Sequence, residues 1–194
     1  MTLSQPDSRE HLHTRTIESS GFKRSDGMWD IEATLKDTKP YEVPNEWRGP
    51  LEPGNPIHHM QVRLTIDDDF VVQKVEVSMV DTPFKICGEV GPAFQGLVGV
   101  SISSGWNKAV QRTAGGVSGC THIIELMRII GTVAYQTLYP LVRMEKESSE
   151  QSSRPSIIGT CRAFAADSPV TKRIYPDWYE ESQKILYDGA VQVL

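Results

Sequence analysis

Three cysteines in 194 residues, at positions 87, 120 and 161, are too few and too widely spaced for a disulfide scaffold. An odd number of dispersed thiols fits a reducing compartment, so a cytoplasmic setting is expected. The sequence also lacks CxxC, HExxH, GxxxxGK[ST], GxSxG and any strand–GxGxxG–helix unit. Nucleotide cofactors, serine-hydrolase chemistry and the common zinc motifs therefore have no local support. Lys and Arg number 20 against 25 Asp and Glu, a formal charge of −5, and no basic run occurs. A surface that tracks phosphates needs clustered cations, so nucleic acid is not an expected partner. No stretch approaches the roughly 20 apolar residues of a membrane span. The opening MTLSQPDSREHLHTR has no apolar core of the kind a secretory signal needs, so no membrane or export role is expected.

What remains is ordinary for a globular chain: 39% hydrophobic and 23% charged residues. The length suits one large domain, or a domain with a tail. Residues 1–10 are polar and read as disordered, and 11–142 as a single domain. The Ser-rich excursion 143–156 reads as a mobile loop. Residues 157–194 resume order, packing on the same domain and ending in a helix near 177–188.

Two candidate strands, HTRTIES and MWDIEATL, flank a turn built on Ser25-Asp26-Gly27. Five prolines make 38–56 irregular. From Ile57 to Ile66 the alternation is strict. Ile57, His59, Gln61, Arg63 and Thr65 share one face, and His58, Met60, Val62, Leu64 and Ile66 the other. Asp67-Asp68-Asp69 turns the chain into VVQKVEVSMV, where Val71, Val75, Val77 and Met79 alternate. This is an antiparallel hairpin. EVGPAFQGLVGVSI reads equally as a short helix or a buried strand. SGWNKAVQRTAGG forms a short helix stopped at Gly115-Gly116. HIIELMRIIGTVAYQTLYPLV is the strongest helix, with apolar residues at 123, 126, 127, 130, 133, 134 and 138 and a limit at Pro140. Strands first and helices after argue an α+β fold, an antiparallel sheet from the first half packed against helices from the second.

The chemistry-bearing candidates gather around GGVSGCTHIIELM. Ser118 or Thr121 can cap the helix, placing Cys120 near the positive end of its dipole. His122 and Glu125, three apart, share a helical face. Two readings stand: an activated thiol or a carboxylate-oriented imidazole, and a packed thiol beside a backbone-bonded histidine at a helix start. His58 lies on the apolar strand face and His59 on the polar one, so both enter one site only through a bulge. Arg15, Arg24, Asp26, Asp30 and Arg63 form a polar set able to hold a carboxylate or phenolate oxygen. Among four tryptophans, Trp47 in the proline-rich loop is the candidate cover for a ligand. A metal is not expected; were one bound, Cys87, Cys120 and His122 would be its ligands.

HTRTIESSGFKRSDGMWDIEATLKDTK, GNPIHHMQVRLTID, PFKICGEV, LVGVSISSGW and GGVSGCTHIIELMRIIGTVAYQT, in that order, resemble a bacterial family known as a domain of unknown function, number twenty-eight eighty-nine of its series. Its signature is an HxR start, RxDGxWDIxxxLxDxK, a PIHDM strand and GGxxGCTHLxEL. The resemblance spans roughly 11–140, with Cys161 beyond it. It implies that His13, Arg15, Arg24, Asp26, Asp30, Asp37, His58, Cys87, Cys120, His122 and Glu125 occupy the family's motif positions. His59 departs, standing where the family usually has Asp. The family's members look like companions of bacterial aromatic catabolism.

The functional expectation is a cofactor-independent acid–base enzyme, a lyase or isomerase acting on a hydroxylated aromatic small molecule. Retro-aldol cleavage releasing a small aldehyde, or dehydration, fits such residues. His58 or His59 and His122, with Glu125, would exchange protons. Arg15, Arg24, Asp26, Trp47, Arg63 and Cys120 would bind substrate. A non-catalytic metal- or small-molecule-binding module is the alternative. A homodimer is expected.

Overall fold

The computed structural model describes residues 2–143 and 154–181. The chain divides into two compact units, Met1–Arg143 and Met144–Leu194. The first is an α+β unit. Residues 2–10 have no helix or strand, and the rest opens with four strands: β1 (Thr14–Lys23), β2 (Trp29–Thr38), β3 (Pro56–Ile66) and β4 (Val72–Asp81). They form one antiparallel sheet in the order β1-β2-β3-β4.

β1 and β2 run several residues beyond the segments that alternation marks. Gly27, at φ +87°, closes their turn, and Asp26 Oδ1 accepts from the Met28 amide at 3.2 Å. Side chains alternate across the sheet. One face therefore carries Trp29, Ile31, Ala33 and Leu35 from β2 and Met60, Val62, Leu64 and Ile66 from β3, all buried. In β4 the expected alternation is interrupted. Ile66 pairs with Val72 but Thr65 with Lys74, so Gln73 is an extra residue. That bulge turns Val72 and Val75, three apart, onto the same buried face.

After β4 the first part of the undecided stretch falls in a 3-10 coil over Lys85–Leu97, burying Phe94 and Leu97, while residues 98–102 are not helical and Ser101 bridges to Val71. Next come α1 (Trp106–Ala114) and α2 (Thr121–Leu138), the latter followed by a π-type turn over Tyr139–Arg143 that carries the chain past Pro140. α2 packs on the inner sheet face through Ile123, Leu126, Met127, Ile130, Ala134 and Leu138. Trp106 ties α1 to α2 by donating its indole N–H to the Met127 carbonyl at 2.7 Å. Gly21 on β1 lets α2 come close, since a Cβ there would sit 2.0 Å from Thr137 Oγ1. Among the described residues no helix is long and apolar enough to cross a membrane.

In the second unit Ser168 caps α3 (Pro169–Ile174), its hydroxyl accepting from the Thr171 amide at 3.0 Å. The helix expected at 177–188 begins only as a single 3-10 turn over Pro176–Trp178. Residues 179–181 are not helical. Its remainder, and most of the expected loop at 143–156, lie outside the described residues.

Candidate functional site

The buried stripe of β2 runs Trp29, Ile31, Ala33, Leu35 and then Asp37, a carboxylate only 2% exposed. A buried anion is stable only if paired and hydrogen-bonded. The register supplies its partners, for Arg15 stands opposite Asp37 on β1 and His58 opposite it on β3. Arg15 Nε donates to Oδ1 and Nη2 to Oδ2, both at 2.8 Å, as a bidentate pair. His58 Nδ1 lies 3.1 Å from Oδ2, and His13 Nε2, just before β1, 3.3 Å from Oδ1. Ile57 is the extra residue of a bulge between β2 and β3, next to His58.

α2 brings the remaining members. Gly119 makes the turn from α1 feasible, because a Cβ there would meet the Ala114 carbonyl oxygen at 1.8 Å. Cys120 is the N-cap, and neither Ser118 nor Thr121 fills that position as the sequence suggests. In the first turn, His122 places Nε2 3.6 Å from Asp37 Oδ2 and Nδ1 3.6 Å from Cys120 Sγ. The His58 and His122 rings lie face to face, centroids 4.0 Å apart and tilted by 33°. Glu125 pairs with Arg15 Nη1 at 2.5 Å.

The electrostatics follow from these contacts. Burial pushes Asp37 upward, but the hydrogen bonds and charge of Arg15, with His58 and His13, hold its carboxyl below the ordinary range. Burial lowers His58, and the neighbouring His122 lowers it further against the pull of Asp37. Burial raises the Cys120 thiol, yet the His122 ring and the amides of Ile123 and His122 more than offset that, leaving it below its usual value.

Of the residues singled out in the sequence, Arg15, His58, Cys120, His122 and Glu125 converge here. Their pairings differ from expectation: Glu125 holds Arg15 rather than His122, and the Arg15 guanidinium is committed to two carboxylates instead of a ligand. Arg24 pairs with both Asp26 and Asp30 at the β1–β2 turn, the far end of the sheet. Arg63 lies on the outer face with Glu32 and Glu76. His59 also points to that face, its Nδ1 3.7 Å from Asp81 and its buried Nε2 without a partner. Trp47 is 61% exposed and meets Phe84 edge to face. Cys87 sits in the 3-10 coil. Among the described residues the group with metal-ligand spacing is Asp37, His58 and His122, not Cys87, Cys120 and His122. Asp37 and His13, the hub and one spoke, were visible beforehand only through the family resemblance. The local signal for Asp37 was an acidic residue in the next slot of a buried stripe.

The cluster runs from His13 to Glu125. A family model described as "Protein of unknown function (DUF2889)" matches residues 13–136, which contain all of it. The chain belongs to this family. The cluster is thus part of the DUF2889 region itself, while the second unit lies beyond the match. No curated protein and no solved structure matches the chain significantly.

Proposed function

We propose that this DUF2889 protein is an acid–base lyase acting on a hydroxylated aromatic small molecule at the Asp37–His58–His122 cluster. The carrying observation is that two imidazoles from distant segments stack over one buried carboxylate, each with its side chain about a fifth exposed. A pair of imidazoles beside a common anion, open on one side, is suited to taking and returning protons. Exposed aromatics at the same end of the sheet favour an aromatic substrate. Tyr41, Trp47 and Phe84 are exposed at the end of the sheet where β2 and β4 finish and β3 begins, the end that carries Asp37 and His58.

The reaction that fits best is retro-aldol cleavage. One imidazole takes the proton of a hydroxyl β to a carbonyl, the C–C bond breaks as the hydroxyl-bearing carbon becomes C=O, and the electron pair is delocalised from the other carbon onto the carbonyl oxygen as an enolate. A proton then returns to that carbon, releasing a small aldehyde. Dehydration would use the same base and acid. The unpaired state of Cys87, Cys120 and Cys161 supports a cytoplasmic setting, and homodimerisation belongs to the same proposal, checked by light scattering. The test is a panel of hydroxyphenyl compounds that carry a β-hydroxy carbonyl group, with aldehyde release as readout. Loss of at least a hundredfold in turnover on His58→Ala and His122→Ala is expected. If the double variant stays within tenfold of wild type, these roles fail.

A further inference from the structure

A retro-aldol step builds negative charge on oxygen, and Arg15, the cation of the cluster, is already bound to Asp37 and Glu125. The site therefore needs another electrophile. The geometry points to a divalent first-row metal ion of the zinc class held by Asp37 Oδ2, His58 and His122, one ligand from each of β2, β3 and α2. The ligand atoms of these three lie within 4.8 Å of one another. Oδ2 is 3.1 Å from His58 Nδ1 and 3.6 Å from His122 Nε2. An ion bound at about 2.0–2.1 Å with tetrahedral angles spaces its ligands by about 3.3–3.4 Å, midway between those two distances. A direct hydrogen bond explains the second distance poorly, since 3.6 Å is beyond its normal range.

The surrounding contacts are those that ligands require. His122 turns its other nitrogen to Cys120 Sγ, which fixes the ring. Asp37 keeps its hydrogen bonds from Arg15, and the side of Oδ2 that meets His58 Nδ1 at 3.1 Å would turn to the ion as His58 does. Glu125 neutralises Arg15 and so reduces its repulsion of a cation. With neutral imidazoles, the two carboxylates and one guanidinium leave one net negative charge. Two imidazoles and one carboxylate suit zinc, cobalt(II) or iron(II) and not calcium or magnesium, which prefer oxygen. Three protein ligands leave a position for water or a substrate oxygen.

This inference rests on the acid–base reading and changes which group carries the proton: the position left open would hold a water that serves as the base, and expansion to five ligands would bring the developing oxyanion onto the ion. The test uses tag-free full-length protein stripped with a chelator, then titrated with cobalt(II) and with zinc. Expected are one equivalent bound, the intense visible absorption of low-coordinate cobalt, and its loss on His58→Ala or His122→Ala. Cys120→Ser, at a positioning residue, should weaken binding about 10–100-fold without abolishing it. Should the alanine variants not fold, wild-type protein still decides the matter, because zinc should raise its melting temperature progressively as its free concentration exceeds the dissociation constant. A cobalt spectrum that stays that of the hydrated ion, with no zinc-dependent rise in melting temperature, overturns the metal site. Full turnover by stripped protein overturns it too and leaves the lyase standing. Stoichiometric binding without turnover of any hydroxyphenyl compound keeps the metal site and removes the lyase.

Discussion

Arg15 and Asp37 face each other across β1 and β2 and share two hydrogen bonds of 2.8 Å, with Asp37 nearly inaccessible to solvent. The remaining Arg15 nitrogen reaches Glu125 on α2. One guanidinium thus joins the edge strand, its neighbour and the first turn of the main helix, at the end of the sheet where the histidines gather. Positioning of the cluster and stability of the fold are linked through this residue.

Arg15→Ala leaves a buried carboxylate with histidines as its remaining partners. A loss of about 1.5–3 kcal/mol in unfolding free energy is expected, the range for hydrogen bonds to charged groups. Arg15→Lys should recover only part of it, because an ammonium cannot reproduce the bidentate fork. Equilibrium urea unfolding of the two variants measures both values. Equal stability of Arg15→Ala and wild type would contradict the clamp.

The metal-free protein should lose stability in acid in two stages. His58 is held below its ordinary value of 6.5, so the folded state disfavours its protonation. Its contribution is present above pH 6.5 and is lost as pH falls through the lowered folded value. Asp37 is held below 3.8, and its contribution is lost only as pH falls beneath that. Melting temperatures recorded across acid pH in the presence of a chelator should show both stages, and His58→Gln should remove the upper one alone.

Much of this arrangement was legible in the sequence. Strict alternation over Ile57–Ile66 placed His58 on the buried face and His59 on the other, as observed. The apolar spacing in α2 named six of its seven buried residues, missing Ile124 and including Val133, which is only partly buried. Asp37 was harder to see, because alternation ended at Leu35 and a charged residue normally marks the end of a buried stripe. The hairpin register that sets Arg15, Asp37 and His58 in one row depends on where the turn closes, and periodicity does not supply that. The pairing of Glu125 was equally out of reach. Spacing on a helix brings it near His122, whereas a guanidinium from a strand more than a hundred positions away competes better for the carboxylate.

Cys120 should alkylate faster with iodoacetamide near neutral pH than an ordinary thiol of equal exposure, since its thiolate is favoured. Peptide mapping separates it from Cys87 and Cys161. His122→Ala removes the ring that favours the thiolate and should slow the reaction at Cys120 while sparing the other two. Slowing of all three together would point to a general change in folding instead.

Gly21→Ala places a methyl group 2.0 Å from Thr137 Oγ1 and 2.8 Å from its Cβ, where β1 and α2 touch. Overpacking of this kind costs about 1–3 kcal/mol. Thr137→Ala in the same chain removes the nearest atoms and should restore part of the loss, though the Cβ contact stays tight. Thermal melts of the single and double variants test this, and additive effects would exclude the contact as the cause.

His59 offers the sharpest separation between adjacent residues. It stands next to His58 in sequence yet faces Asp81 on the outer side of the sheet. It touches none of Asp37, Arg15 or His122 in any described contact. Loss of His58 should lower turnover by at least a hundredfold and abolish cobalt binding. His59→Ala should leave cobalt binding unchanged and turnover within about threefold, on the ground that a residue making no contact with the reacting groups removes no transition-state interaction. His59→Asp sets a carboxylate opposite Asp81, where Arg48 Nη2 at 2.8 Å partly offsets the repulsion. A small fall in melting temperature with cobalt binding preserved is expected. A large change in metal affinity on either His59 substitution would mean that the outer face communicates with the cluster through the strand, and the site would need to be redrawn to include it.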